Sequence, residues 1–317
     1  MKYGNTIFVT YEQKGSAEMA IEIIGVPMDL GASRRGTDMG PSAIRYASLS
    51  EVLRKMELEV IDRGNIDIPV QESLKVDNPS LRFINEIIEG CLKLGEFVSA
   101  ALDRGNFPLV LGGDHSIALG SLLGASRKIP DIGLIWMDAH GDFNSLETSE
   151  TGNIHGMSLA SSCGRGDAKL VTIGGFSPKV KEEKTVIIGV RDLDPEEKIQ
   201  LKQSKVTVFS MKDIDERGIA QITREAIAIA GSGGNGIHLS FDMDVVDPSI
   251  ASGVGTPVTG GLNYREAHLA LELIAEAKIL KSMEVVEVNP ILDGRANSTA
   301  GVAVEFIASA LGKRIFP

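Results

Sequence analysis

The chain has 317 residues, with 43 acidic against 32 basic side chains and a formal net charge of -11. At 43% hydrophobic and 24% charged it has the composition of a folded globular protein, which excludes disorder, collagen-like repeats and coiled coil. The acidic balance argues against a nucleic-acid partner, whose phosphates call for clustered Lys and Arg, and no run approaches the roughly 18 apolar residues that cross a bilayer, so no membrane partner is expected.

Short apolar runs rich in β-branched residues predict strands at AIEIIGVPMD (20–29) and LEVIDRG (58–64). A helix follows over 79–104, where apolar residues recur at helical spacing. Strands are next predicted at FPLVLGG (107–113), IGLIWMDAH (132–140) and TVIIGVRD (185–192). The stretch 195–203 starts like a helix, with Asp194 as N-cap, Pro195 in the first helical position and Glu197 completing a capping box. VTVFS (206–210), a helix over 218–231, GIHLSFDMD (236–244), a helix over 263–278 and SMEVVEVNP (282–290) complete the pattern. Runs that are apolar on both faces mean strands covered by helices on both sides. The expectation is an α/β fold: a three-layer single domain, spanning 1–317, with a mainly parallel eight-stranded sheet covered by helices on both faces. No internal repeat or linker divides it.

The two cysteines, Cys91 and Cys163, match no CxxC pattern and are too few for a disulfide framework, so they read as buried thiols of a reducing compartment. The first twenty residues hold no continuous apolar stretch of the signal-peptide kind, and a cytoplasmic location is expected.

Chemistry enters where polar residues interrupt the apolar runs. LVLGGDHS places Asp114 and His115 just past a strand, IGLIWMDAHGDFN places Asp138, His140 and Asp142 there, and IHLSFDMDVVDP places Asp242 and Asp244. In open parallel sheets ligands bind outside the carboxyl ends of the strands, so these groups converge. In extended chain, residues at i, i+2 and i+4 share a face, which aligns Asp138 with His140 and Asp142, and Asp242 with Asp244. Four carboxylates packed together repel one another unless cations are present, and a pair of divalent metals is the natural resolution. Asp and His ligands without Cys favour Mn²⁺ over a structural zinc, with Fe²⁺, Co²⁺, Ni²⁺ and Zn²⁺ left open by ligand type.

Taken together, GGDHS, DAHGDFN, GNIHG, SFDMDVVDP and EVVEVNP resemble the ureohydrolase family of arginases, agmatinases and formimidoylglutamases, over about residues 20 to 312. VPMDLGASRRGTDMGPSAIR, SETGNIHGM, VRDLDP and EVNPILD are most similar to arginases of the bacterial type. The resemblance implies two Mn²⁺ per subunit, one between His115, Asp138, Asp142 and Asp242 and the other between His140, Asp138, Asp242 and Asp244. Asp138 and Asp242 would bridge them. A metal-bridging hydroxide would attack the guanidinium carbon of L-arginine, giving L-ornithine and urea. Asp142 is the implied proton acceptor, His155 the implied proton donor or shuttle, and Glu287 the carboxylate that holds the guanidinium by paired hydrogen bonds. Asn144, Ser149 and Thr151 match positions that bind the substrate α-carboxylate. Asp194 matches one that binds the α-ammonium, although helix capping explains it equally well. The family also implies homo-oligomers, trimers or hexamers, with LGKRIFP at the C-terminus a candidate interface segment.

Agmatinase or formimidoylglutamase activity would use the same metal ligands and differ in the substrate loops. A metal-binding relative without catalysis is disfavoured by intact His155 and Glu287. A binuclear phosphohydrolase is disfavoured because no Arg or Lys cluster flanks the motifs. His238, deep in its strand, is expected to be a satisfied core histidine, His268 a structural or interfacial one, and Asp114 the acceptor that orients the His115 ring.

Overall fold

Each of the eight apolar runs falls on a strand, although the second strand runs one residue past its run and the eighth starts two residues before its own. In the computed structural model, which describes residues 19–76, 78–294 and 297–314, these are β1 (Ile21–Gly25), β2 (Val60–Asn65), β3 (Phe107–Leu111), β4 (Gly133–Met137), β5 (Thr185–Val190), β6 (Thr207–Ser210), β7 (Ile237–Asp242) and β8 (Leu280–Val286). They form one sheet in the order β2-β1-β3-β8-β7-β4-β5-β6. Every ladder is parallel, so the expected mainly parallel sheet is parallel throughout. All residues of β1, β3, β4, β5 and β7 are buried, whereas the edge strand β2 turns Asp62, Arg63 and Asn65 outward.

Strand pleating divides the core in two. Ile21, Ile23, Leu109, Leu111, Ile135, Met137, Leu239 and Phe241 face one apolar layer, and Ile24, Val110, Leu134, Trp136 and Val286 face the other. The first layer is closed by helices including Ile219–Ala230, Tyr264–Glu276 and Ser298–Ala310, and the second by Ile84–Asp103 and Ala118–Lys128. Of the predicted helices, Pro195–Gln203 matches the expected bounds, and Tyr264–Glu276 starts on a capping box between Asn263 and Glu266. The predicted helix over 79–104 begins only at Ile84, because Phe83 adopts the left-handed conformation (φ 53) that breaks the helical path.

Two histidines lie in the core. His238 is fully buried in β7 with its Nδ1 2.7 Å from Ser282 Oγ, but it is not the fully satisfied histidine expected, since its Nε2, 3.6 Å from Glu284 Oε1, has no hydrogen-bond partner among the described residues; His268 sits 2.7 Å from Ser309 Oγ with its ring edge-on to Tyr264 and Phe306. Both cysteines are free and buried. Among the described residues no helix is long and apolar enough to cross a membrane. The first twenty residues, where no targeting segment is expected, lie outside the described residues apart from Met19 and Ala20, as do the last three residues of LGKRIFP.

The strand order positions the site. β3, β8, β7 and β4 are consecutive neighbours, and their carboxyl ends lead into His115, Glu287, Asp242 and Asp138 respectively.

Candidate metal centre

The aspartates converge through turns, which corrects the extended-chain expectation. β4 ends at Met137, and Asp142 takes a left-handed backbone (φ 47) held by Leu159 and Ala160, whose N–H groups both donate to its carbonyl at 3.1 Å. After β7, Met243–Val245 forms a 3-10 turn in which the Asp244 N–H donates to Asp242 Oδ1 at 2.8 Å. Such turns re-aim side chains that simple alternation would have placed along one face.

Two groups result, and Asp138 belongs to both. His115 Nδ1 lies 3.1 Å from each of Asp138 Oδ2, Asp142 Oδ2 and Asp242 Oδ2. His140 Nδ1 lies 3.3 Å from Asp138 Oδ1 and 3.1 Å from Asp244 Oδ2. The two oxygens of Asp138 thus face different histidines. His115–Asp138–Asp242 and Asp138–His140–Asp244 each bring three ligand atoms close enough to hold one ion. Asp242 stands in the first of these; its other oxygen is used in the 3-10 turn.

The donor set fits divalent cations. His115 Nδ1 is buried without a hydrogen-bond partner even though three carboxylate oxygens surround it. Octahedral ligands about 2.1–2.2 Å from an ion are about 3.0–3.1 Å apart along an edge, close to the spacing found here. Charge points the same way. Burial, and then the neighbouring Asp138, raise Asp142 above the ordinary carboxylate range; burial with Asp244 and Asp138 raises Asp242 further. Asp138 is held far below that range because hydrogen bonds and charge from His115 and His140 overcome its burial. Divalent cations relieve this conflict directly.

Outer contacts fix the ligands. His115 Nε2 lies 2.7 Å from Ser240 Oγ, its ring stacks on Trp136 at 3.9 Å, and Trp136 Nε1 donates to Asp138 Oδ2 at 2.9 Å. Asp114, the expected partner of the His115 ring, instead accepts from the Gly31 and Ser116 N–H groups at the entry to a helical turn. Thr256 Oγ1 donates to Asp244 Oδ2 at 3.0 Å.

A cleft of about 200 Å³ opens beside the groups. His140, Asp142, Asp242, His155, Asn144, Ser149, Thr151 and Asp194 all line it. Glu287, in a left-handed conformation (φ 64) just past β8, is buried and is not among the residues that line the cleft; its Oε1 accepts from the His115 N–H at 2.9 Å and lies 3.2 Å from His155 Nδ1, while its Oε2 has no hydrogen-bond partner among the described residues. Asn144 Nδ2 donates to Asp194 Oδ2 at 2.9 Å. Asp194 is the N-cap of helix Pro195–Gln203, so its capping role is real, and it also faces the cleft. Ser149 Oγ accepts from the Gly152 N–H and Thr151 Oγ1 from the Asn153 N–H, which leaves both hydroxyl hydrogens to donate elsewhere.

Sequence reasoning missed Ser240, Thr256 and the second role of Glu197. Ser240 shares a strand face with Asp242, a signal that was present; Thr256 lies in a loop with none. Glu197 lines the cleft, accepts from the Phe143 N–H at 2.8 Å, and is pushed up to about 7 by burial with the charges of Asp142 and Asp194 adding.

A family model described as the arginase family matches residues 19–312. The arginase of Bacillus caldovelox is 51% identical over 296 residues, covering 93% of this chain and 99% of that protein. A solved structure of arginase from Bacillus caldovelox superposes with a TM-score of 0.91 at 50% identity, covering 94% of this chain and all of the other (100%). The crystal structure of Entamoeba histolytica arginase in complex with L-ornithine gives a TM-score of 0.85 at 28% identity, over 93% of this chain and 99% of that one.

Proposed function

Since the chain belongs to the arginase family and is an arginase-type hydrolase, we propose that it cleaves L-arginine to L-ornithine and urea at a pair of Mn²⁺ ions. The observation that carries this reading is the two His/Asp groups joined through Asp138 beside a cleft of carboxylates and hydroxyls. His115, Asp138, Asp142 and Asp242 would hold one ion and His140, Asp138, Asp242 and Asp244 the other. When bound, the ions supply the Lewis acidity that lowers the pKa of water and yields a nucleophile near neutral pH. A ligand set of imidazole and carboxylate without thiolate suits Mn²⁺.

The remaining steps fall to the chain itself. The unpartnered, buried Glu287 Oε2 suits a guanidinium N–H, since a lone buried carboxylate oxygen is costly without a donor. Asp142 takes up the proton released on attack. His155 returns one to the departing amine, because a guanidinium nitrogen leaves poorly unless protonated. Burial alone would lower the His155 pKa, but the hydrogen bond and charge of Glu287, with Asp142 and Asp114, raise it to about 9, which favours the protonated ring that a proton donor needs. Ser149, Thr151 and Asn144 present donors suited to the α-carboxylate, and Asp194 a charge suited to the α-ammonium.

The same reading takes residues 1–317 as a single cytoplasmic domain that assembles as a homotrimer or hexamer. One sheet with apolar layers on both faces supports the single domain, and exposed Tyr46 and Ile291 offer apolar surface for assembly.

The test is to strip metal with a chelator, restore Mn²⁺, and compare urea release from L-arginine and agmatine with formamide release from formimidoylglutamate. Manganese-dependent urea release from L-arginine, with little from agmatine, is expected. Comparable activity on agmatine would overturn the substrate assignment.

A further inference from the structure

We propose that Arg191 is the positioning residue of the second metal group, holding Asp244 in place without touching substrate. This rests on the two-metal reading above. The Arg191 guanidinium makes six hydrogen bonds, all to main-chain carbonyls: Nη2 to Asp244 and Val258 at 2.7 Å, Nη1 to Gly189 and Val245 at 3.2 Å, and Nε to Thr259 at 3.2 Å and Val258 at 3.3 Å. A planar fork of five N–H donors can satisfy carbonyls from several segments at once, which a single ammonium cannot.

Those segments meet at the second group. The carbonyl of Asp244, itself a ligand, is one of the acceptors. The loop carrying Val258 and Thr259 also carries Thr256, whose hydroxyl donates to Asp244 Oδ2. On the other side the main-chain N–H of residue 191, which Lys or Gln there would keep, donates to the Ala139 carbonyl at 2.9 Å, and the Ala139 N–H donates to Asp244 Oδ1 at 3.2 Å, so the segment that ends at Arg191 and Asp244 are tied to one residue. Ala139 is the residue between the ligands Asp138 and His140. Gly261 gives room to the fork and to the chain beside it, since a Cβ there would stand 2.6 Å from Arg191 Nη2, 2.6 Å from the Val245 carbonyl oxygen and 2.7 Å from the Asp247 nitrogen.

The first group is held differently. His115 is fixed by Ser240, Glu287 and Trp136, and Asp142 by the Leu159 and Ala160 N–H groups. Arg191 reaches none of these. Its loss should therefore act on one ion and spare the other.

The experiment compares wild type with Arg191→Lys, which keeps the charge and loses the fork, and with Arg191→Gln, which loses both. Chelated protein is titrated with Mn²⁺ alone by calorimetry, and the electron paramagnetic resonance spectrum is recorded at two equivalents; circular dichroism confirms that each variant is folded. Both variants should bind the first ion as wild type does and the second about 10- to 100-fold more weakly, as expected for loss of a group that orients a ligand. Their spectra should show isolated manganese where wild type shows a coupled pair. A second ion bound with wild-type affinity by both variants, or equal weakening of both ions, would overturn the proposal. A wild-type chain that takes up fewer than two ions would remove the two-metal reading itself.

Discussion

On the proposed reading, replacing Glu287 by Gln isolates the carboxylate oxygen that would meet the substrate guanidinium. Oε1 is occupied by two donors, the His115 N–H at 2.9 Å and His155 Nδ1 at 3.2 Å, while Oε2 is buried and unpartnered. A glutamine must turn its carbonyl toward the two donors, which leaves its NH₂ at the Oε2 position. There it meets a guanidinium that can only donate, so one charge-assisted hydrogen bond is lost. Such a bond contributes about 1.5–3 kcal/mol, or about 10- to 150-fold in kcat/KM. The assay is urea release over a range of L-arginine concentrations, with metal content measured on the same samples. The expected result is a fall in kcat/KM of that size with metal content at the wild-type level. An unchanged kcat/KM, or a loss that merely tracks lost metal through His115, would refute the reasoning.

Asp138→Asn should weaken both ions, since the two oxygens of Asp138 face different histidines; elemental analysis showing both ions retained would contradict its shared role. His155→Ala should lower turnover by about 10²–10⁴-fold, the usual range for a general acid, with metal content preserved; unchanged turnover would remove it as proton donor. Asp194→Ala should raise KM for L-arginine and also lower thermal stability by about 1 kcal/mol through loss of the helix cap; a stability loss with unaltered KM would leave capping as its only role. Away from the site, burial would raise the Glu22 carboxyl, but hydrogen bonds from Arg104, Arg63 and Asn106 overcome this and hold it at about 2. Because the folded pKa lies below the unfolded value, the contribution is complete above about pH 4.5 and fades as pH falls toward 2. It amounts to at most about 3 kcal/mol, less after screening of the half-exposed Arg104. Thermal melts of wild type and Glu22→Gln should differ at neutral pH and converge in acid, and a gap independent of pH would contradict this.

The candidate metal ligands were legible because chemistry stands out against apolar strands: Asp138, His140, Asp242 and Asp244 interrupt runs whose other residues are there to be buried. How they converge was not legible. Pleating places alternate residues on one face, yet Asp142 is aimed by a left-handed backbone and Asp244 by a 3-10 turn, and both depend on contacts from residues distant in sequence. The same applies to the outer contacts. Asp114, adjacent to His115 in sequence, is committed to the Gly31 and Ser116 N–H groups, while Ser240, more than a hundred residues away, meets the ring. Nothing in VRDLDP singles out Arg191, because its carbonyl acceptors exist only once β5, β7 and the loop after β7 are in place. The helix over 195–203 was read correctly because its signals, Asp194, Pro195 and Glu197, are local.

Anomalous scattering at the manganese edge, from crystals of chain loaded with Mn²⁺, tests the binuclear centre most directly. Two ions per chain are predicted, one beside His115 and one beside His140, with Asp138 touching both. A single ion, or two ions bound away from these residues, would contradict it.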